Sequence, residues 1–304
     1  MKTALVLGAT GGIGGEVART LVAHGWRVTA LNRKPEQAPR IEGVTWVGGD
    51  AMVRADVVAA ASGVDLIVHA VNPPGYRNWG QLVLPMMDNT IAAAQASGAR
   101  VLLPGTIYNY GSDTQARLTE NTPQRPTTRK GEIRRQMEER LRNAGVKALV
   151  VRAGDFFGPR AGNNWFSQGL VKPGQKVASV MYPGAPGVGH AWAYLPDLAE
   201  TMAQLADREA QLGQFETFHF RGVWDADGTR MTGAIGARVR AFPWFVVRLL
   251  APFKTLFREM AEMRYLWQQP FELDNARLVA FLGVEPHTSL DVAVRNTLTG
   301  LGCR

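Results

Sequence analysis

The segment Gly8-Ala9-Thr10-Gly11-Gly12-Ile13-Gly14 constrains this chain more than any other. It follows an apolar run at residues 4–7 that reads as a buried strand. It opens a run at residues 12–24 with Val17, Leu21 and Val22 at helical spacing, closed by Gly25. In that context the first glycine permits a tight turn, the second lets a pyrophosphate approach the backbone, and the third lets helix pack on strand. The helix start adds unsatisfied N–H groups and partial positive charge. Gly8, Thr10, Gly11, Gly12, Ile13 and Gly14 are therefore the candidate phosphate cradle of a dinucleotide.

The pattern repeats downstream. Strand signals at 27–31, 44–47, 65–70, 100–103 and 147–152 alternate with helix signals at 56–61, 82–97 and 128–143. Short connections and βαβ alternation predict an α/β fold, a doubly wound parallel sheet of Rossmann type, over residues 1–153. After Arg152 glycine and proline become frequent and periodic runs few, as in loops over a site. Residues 154–304 are expected to form a smaller substrate-binding lobe, with segments around 188–220 (a helix at 196–206, a strand at 215–220) returning to the core.

The second strand ends in Asn32-Arg33-Lys34, where an acidic residue would favour NAD by bonding the ribose hydroxyls. Two cations suit a 2′-phosphate instead, so NADP is the expected cofactor and NAD the less favoured one.

These features resemble the short-chain dehydrogenase/reductase superfamily, in its extended and atypical branches, over nearly the whole chain. Asp50-Ala51 resembles the pair that contacts adenine, and Ala70-Val71-Asn72 the segment lining the ribose. Residues 106–111, TIYNYG, resemble the Ser-x-x-x-Tyr-Gly segment of nucleotide-sugar epimerases. Residues 152–159, RAGDFFGP, resemble the turn that caps the cofactor, which places Asp155 at cofactor or substrate. HAWAYLPD at 190–197 and the closing segment 273–283 resemble further blocks of the same group.

The usual Tyr of the superfamily, with a Lys four residues on, is missing. Those positions hold Lys130 and Arg134, and no Tyr occurs between Gly111 and Tyr182. The run Lys130-Gly-Glu-Ile-Arg-Arg-Gln-Met-Glu138 resembles the helix of the isoflavone reductase-like branch, which implies Lys130 as acid/base beside NADPH. Cationic Arg134, one turn away, is expected to push its pKa down. A bland alternative makes Lys130 a ribose or phosphate contact. Thr106 is the candidate for polarising a substrate oxygen. Tyr108 and Tyr110, which share its face if the strand continues, are candidate replacements for the lost phenol. Trp165, Phe166, Tyr182, Trp192 and Tyr194 are expected to wall the substrate cleft.

Other classes find little support. The five His have no metal-ligand spacing, so no metal is expected, and His69 inside a strand reads as a satisfied core residue. The single cysteine, Cys303, excludes an internal disulfide, and the start lacks the long apolar region of a signal peptide, so a cytoplasmic location is expected. The balance of 34 Lys+Arg against 26 Asp+Glu is partly the charge run from Arg125 to Arg142, where interleaved Glu132, Glu138 and Glu139 read as ion pairs on a solvated face. Nucleic acid and membrane are not expected partners; a small-molecule substrate is, and a homodimer is left open. The aromatic-rich segment 242–267 reads as two helices broken at Pro252; a lid or dimer-interface element is preferred over an amphipathic membrane-surface helix, since its apolar residues are not opposed by a strongly basic face. The preferred expectation is an NADPH-dependent reductase of a small carbonyl or alkene. The alternatives are a non-catalytic NADP sensor, such as the NmrA-like regulators, and an epimerase- or dehydratase-like enzyme.

Overall fold

A computed structural model describes residues 1–73, 78–162 and 164–304. In chain order the first half runs β1 (Thr3–Leu7), α1 (Gly12–Ala23), β2 (Arg27–Asn32), β3 (Val44–Gly48), α2 (Arg54–Ala60), β4 (Leu66–His69), α3 (Trp79–Ser97), β5 (Arg100–Thr106), β6 (Arg117–Leu118), α4 (Arg129–Asn143) and β7 (Ala148–Ala153). The second half adds β8 (Asp155–Phe157), β9 (Ser179–Tyr182), β10 (His190–Tyr194), α5 (Leu195–Asp207), β11 (Phe215–His219), β12 (Val223–Asp225), α6 (Thr229–Ile235) and β13 (Arg238–Ala241). It ends with α7 (Trp244–Leu250), α8 (Thr255–Glu262), β14 (Glu272–Leu273), α9 (Ala276–Leu282) and α10 (Leu290–Gly300).

Seven parallel strands form one sheet in the order β11-β7-β5-β4-β1-β2-β3. This is the predicted doubly wound sheet, and β11 returns to its edge. The period-two alternation of a buried strand explains the two layers. In β1, Ala4 and Val6 face the core under α1 and α5, with Val17, Leu21, Leu198 and Met202. Leu5 and Leu7 face the opposite core, with Val57 of α2, Val83 and Met87 of α3, and Met137 and Leu141 of α4. The chain leaves β1 toward β3 in one direction and from β4 toward β11 in the other. The crevice between β1 and β4 is thus the topological switch point, where ligands bind such sheets.

The remaining strands make small sheets, β12-β10-β8, β13-β9 and β14-β6, over a third core rich in aromatics: Phe157, Phe166, Trp192 and Trp267. The loop-rich reading of 154–189 missed β8 and β9, because each is short and pairs only with distant segments. Cys303 is not frayed: it is buried, its thiol against the Lys172 carbonyl at 3.3 Å. On α4, Arg135 pairs with Glu132 and Glu139 as the solvated-face reading expects. Glu138 does not: it is buried and bonds Arg152 at 2.6 Å.

Candidate functional site

A cleft of about 1100 Å³ opens at the C-terminal ends of β1, β4 and β5. The glycine loop floors one end. Gly8 sits at φ +92°, and a Cβ there would lie 2.6 Å from the Ala70 carbonyl. A Cβ at Gly14 would lie 2.3 Å from the Gly8 oxygen. These two glycines are demanded by the protein itself. Gly11 is different: its φ of −86° and ψ of 169° suit any residue. The nearest atom to a Cβ there is 3.3 Å away. The chain constrains this cavity-lining position far less than Gly8 or Gly14, since the Gly8 carbonyl need yield only a few tenths of an ångström, which fits a bare backbone kept for a pyrophosphate.

Of the sequence-predicted nucleotide residues, Gly8, Thr10, Gly11, Gly12, Ile13, Asn32, Arg33, Asp50, Ala51, Ala70, Val71, Asn72 and Asp155 line this cleft. Lys34 does not; it is exposed, and its backbone N–H turns back to the Asn32 side chain at 2.8 Å. The Asp50 carboxylate accepts from the Met52 N–H at 2.9 Å and so holds its own turn. Asn72 accepts from the indole of buried Trp79 at 2.6 Å, and the Arg134 guanidinium lies 5.2 Å over that ring.

His69 is not the satisfied core residue that its strand suggested. The Thr90 hydroxyl gives its proton to the Met86 carbonyl, so toward His69 it accepts from Nδ1–H, at 2.7 Å. Nε2 is left as a buried acceptor with no hydrogen-bond partner among the described residues, on a residue that lines the cleft. Burial, with the Arg134 charge, pushes the imidazole down to about 3, which keeps it neutral.

The far end is built around Lys130. Thr128 caps α4 by accepting from the Gly131 N–H at 3.0 Å. A Cβ at Gly131 would lie 2.2 Å from the Tyr108 carbonyl, so this glycine lets α4 close onto the turn after β5. Lys130 is buried beneath α8. Its ammonium pairs with Glu259 Oε2 at 2.9 Å and donates to the Glu259 carbonyl at 3.0 Å; its own N–H donates to Glu262 at 3.0 Å. Burial lowers its pKa, opposed by Glu259 and Glu262 and aided by Arg129. The depression expected from Arg134 is thus produced instead by desolvation. Glu259 was invisible in the sequence, because it stands 129 residues from the lysine it meets.

The strand does not continue past Thr106. A 3-10 turn, Ile107–Asn109, follows, and the Thr106 hydroxyl accepts from the Tyr108 N–H at 3.2 Å. Thr106 and Tyr108 line the cleft. Tyr110 is turned into the core, where its hydroxyl accepts from Arg152 at 2.7 Å and meets His219 at 3.2 Å. It cannot act as the replacement phenol, since no reactant reaches it. The predicted aromatic wall is also reduced. Trp165 lines the cleft with Phe156, Met260 and Met263, while Phe166, Tyr182, Trp192 and Tyr194 pack in the core behind. Asp155 bonds His190 at 2.9 Å, and His190 stacks on Trp267.

Comparison with known proteins now has a geometry to meet. Residues 8–179 match the NAD(P)H-binding family, from the phosphate loop to the edge of the aromatic lobe. The chain belongs to that family. A pyridine nucleotide is therefore the ligand that this family membership gives the chain. A 3-diazoavenalumate denitrifying reductase from Streptomyces sp is 28% identical over 176 residues, which are 52% of this chain and 57% of that protein. The chain thus matches a little over half the length of this curated relative. The fold recurs in L-threonine dehydrogenase from Clostridium difficile, with a TM-score of 0.77, 17% identity and coverage of 100% of this chain and 99% of that one. It recurs in UDP-N-acetylglucosamine 4-epimerase from Bacillus cereus, with a TM-score of 0.70, 16% identity and coverage of 97% and 94%. It recurs too in the Bordetella bronchiseptica enzyme WbmH in complex with NAD+, with a TM-score of 0.72, 18% identity and coverage of 99% and 98%. The chain has the architecture of the extended short-chain dehydrogenases and epimerases. Among the described residues no cluster of three or more His, Cys, Asp or Glu could hold a metal ion.

Proposed function

We propose that the protein is an NADP-dependent reductase of an apolar, aromatic-sized carbonyl or alkene, with Lys130 as proton donor. The observation that carries this reading is the buried Lys130–Glu259 pair in the wall of the cleft; the resemblance to the superfamily gives Lys130 the position of its usual Tyr. Bound NADPH would supply the hydride. The chain's residues do the rest. Thr10 to Gly14 and the start of α1 hold the pyrophosphate, and Arg33 at the rim faces the 2′-phosphate. Asn72, fixed by Trp79, bonds the ribose. Thr106 donates to the substrate oxygen and so favours the charge that develops there. The Lys130 ammonium, its pKa lowered by burial, releases its proton more readily than an exposed lysine. Glu259 opposes that lowering and favours the charged form. Trp165, Phe156, Met260 and Met263 exclude water and favour a flat, apolar substrate. The likeness to a reductase supports the reaction class.

The test is loss of absorbance at about 340 nm with aryl aldehydes, ketones, enones and a diazo compound. Lys130→Met is expected to lower turnover on the order of a hundredfold or more while leaving NADP affinity nearly intact. If the variant loses NADP affinity and keeps turnover at saturating NADPH, Lys130 is a nucleotide contact. Tight NADP binding with no turnover on any substrate would favour a sensor.

A further inference from the structure

The segment between Asp227 and Glu259 contains no carboxylate. It does contain Arg238, Arg240, Arg248, Lys254 and Arg258, all exposed. The same stretch carries three of the four largest apolar exposures of the described chain after Met1, Phe245 at 69%, Leu249 at 68% and Phe253 at 79% (Val284, elsewhere, is the fourth at 68%), with Val239 at 51%. Phe245 and Leu249 are one turn apart on α7, and Phe253 continues the spacing just beyond it. The other side of the element is anchored. Val247 is buried, and the Trp244 indole donates to the Pro183 carbonyl at 2.8 Å. The Trp244 ring lies under the Arg264 guanidinium. The exposed stripe is therefore held outward by packing on its opposite side.

Residues 242–267 by themselves present no strongly basic face, which is why their sequence reads as a lid or dimer element. The structure divides it. Glu259, Met260 and Met263 of the α8 region line the cleft, as a lid would, while α7 turns its apolar stripe to solvent. Ahead of α7, β13 presents Arg238 and Arg240, which adds the missing charge.

We propose that α7 and the adjoining β13 dock on an anionic lipid surface, with Phe245, Leu249 and Phe253 in the headgroup–acyl boundary and the five cations on the headgroups. An apolar stripe with flanking cations is the chemistry of an interfacial helix. No helix among the described residues is long and apolar enough to cross a membrane, so the contact is peripheral. A second copy of the chain fits less well: a two-fold contact apposes the same face twice and brings like charges together from a segment, 228–258, that holds no carboxylate of its own. Docking there puts the lid α8, and the cleft mouth it forms, beside the lipid.

The experiment is co-sedimentation of the full chain with phosphatidylcholine vesicles, with and without phosphatidylglycerol, alongside sedimentation velocity. Partition to the anionic vesicles only, weakening as salt rises, is expected. The triple variant Phe245→Ser/Leu249→Ser/Phe253→Ser should lose it. Arg238→Glu/Arg240→Glu should weaken it by about fivefold or more for each cation reversed. These side chains are exposed, so both variants should melt as the wild type does, and the charge-reversal pair tests the proposal even if the triple variant does not fold. Absence of wild-type partition, or equal partition of wild type and charge-reversal variant, overturns the proposal. So does a wild-type dimer that the triple variant converts to monomer, which would make the stripe a self-association face.

Discussion

At the glycine-loop end of the cleft the wall is backbone, whereas at the α8 end it is side chain. The first is made by residues within seven positions of one another, held by contacts as close as Gly14 against the Gly8 carbonyl. The second depends on a lysine of α4 and a glutamate of α8 that meet across the molecule. Backbone cradles tolerate almost no substitution yet accept any pyrophosphate-bearing ligand. Side-chain pairs can be exchanged at modest cost to the fold, and they select chemistry. A family that shares a nucleotide and differs in substrate is expected to divide its construction this way.

The sharpest way to break that contrast is a pair of glycine variants. Gly14→Val forces a side chain onto the Gly8 carbonyl and should destabilise the fold by about 3 kcal/mol. Gly11→Val meets only the Gly8 carbonyl, at 3.3 Å, and asks a small shift of it. It should lose much less stability than Gly14→Val but lose dinucleotide affinity on the order of a hundredfold, since the new methyls occupy the approach to the backbone. Calorimetric titration and thermal melts on both variants separate the cases. Equal loss of stability in the two would mean that Gly11 is structural after all.

Two buried histidines compare the regions by pH. His69 lies beneath the nucleotide end and His219 in the network behind the turn after β5; burial pushes each down to about 3 from 6.5. The folded pKa is the lower one, so their contribution to stability is complete above about 6.5 and is lost as pH falls toward 3, at roughly 1.4 kcal/mol per unit for each group. Melting wild type, His69→Gln and His219→Gln at about pH 7 and about pH 5 should show a smaller acid-induced drop in each variant. A drop identical to the wild type's in both would sink the assignment.

Glu259→Gln tests the α8 end. Lys130 must hold a proton to act, so turnover falls as pH rises through its pKa. Glu259 raises that pKa, and its loss should move the alkaline limb of kcat to lower pH. An unmoved limb would mean that another group titrates.

The smallest effect is at the rim. Arg33→Ala should cost about tenfold in NADP affinity and leave NAD affinity unchanged, while Lys34→Ala, outside the cleft, should cost less than about twofold. Equal wild-type affinities for the two nucleotides would overturn the NADP reading.

The sequence alone determined the sheet and the glycine loop, because each is written in local patterns: period-two apolar runs and turn glycines. The missing Tyr is legible only through the resemblance to the superfamily, and Lys130, which takes its position there, lines the cleft. What it could not supply is whatever depends on distant chain segments meeting. Tyr110 alternates with Thr106 in sequence, and only the 3-10 turn at Ile107–Asn109 sends its phenol to Arg152 instead of the cleft. His69 reads as core in a strand, and only the Thr90 hydroxyl, already committed to Met86, puts the proton on Nδ1 and makes Nε2 the acceptor. Glu259 gains a role only when α8 folds back over α4. The exposed stripe of α7 becomes distinct from the lid only when its other side finds Pro183 and Arg264. Local periodicity is decided by backbone geometry over a few residues, and a sequence records it directly. Which buried charge meets which partner, and which apolar face is left to solvent, are set by the packing of the whole chain.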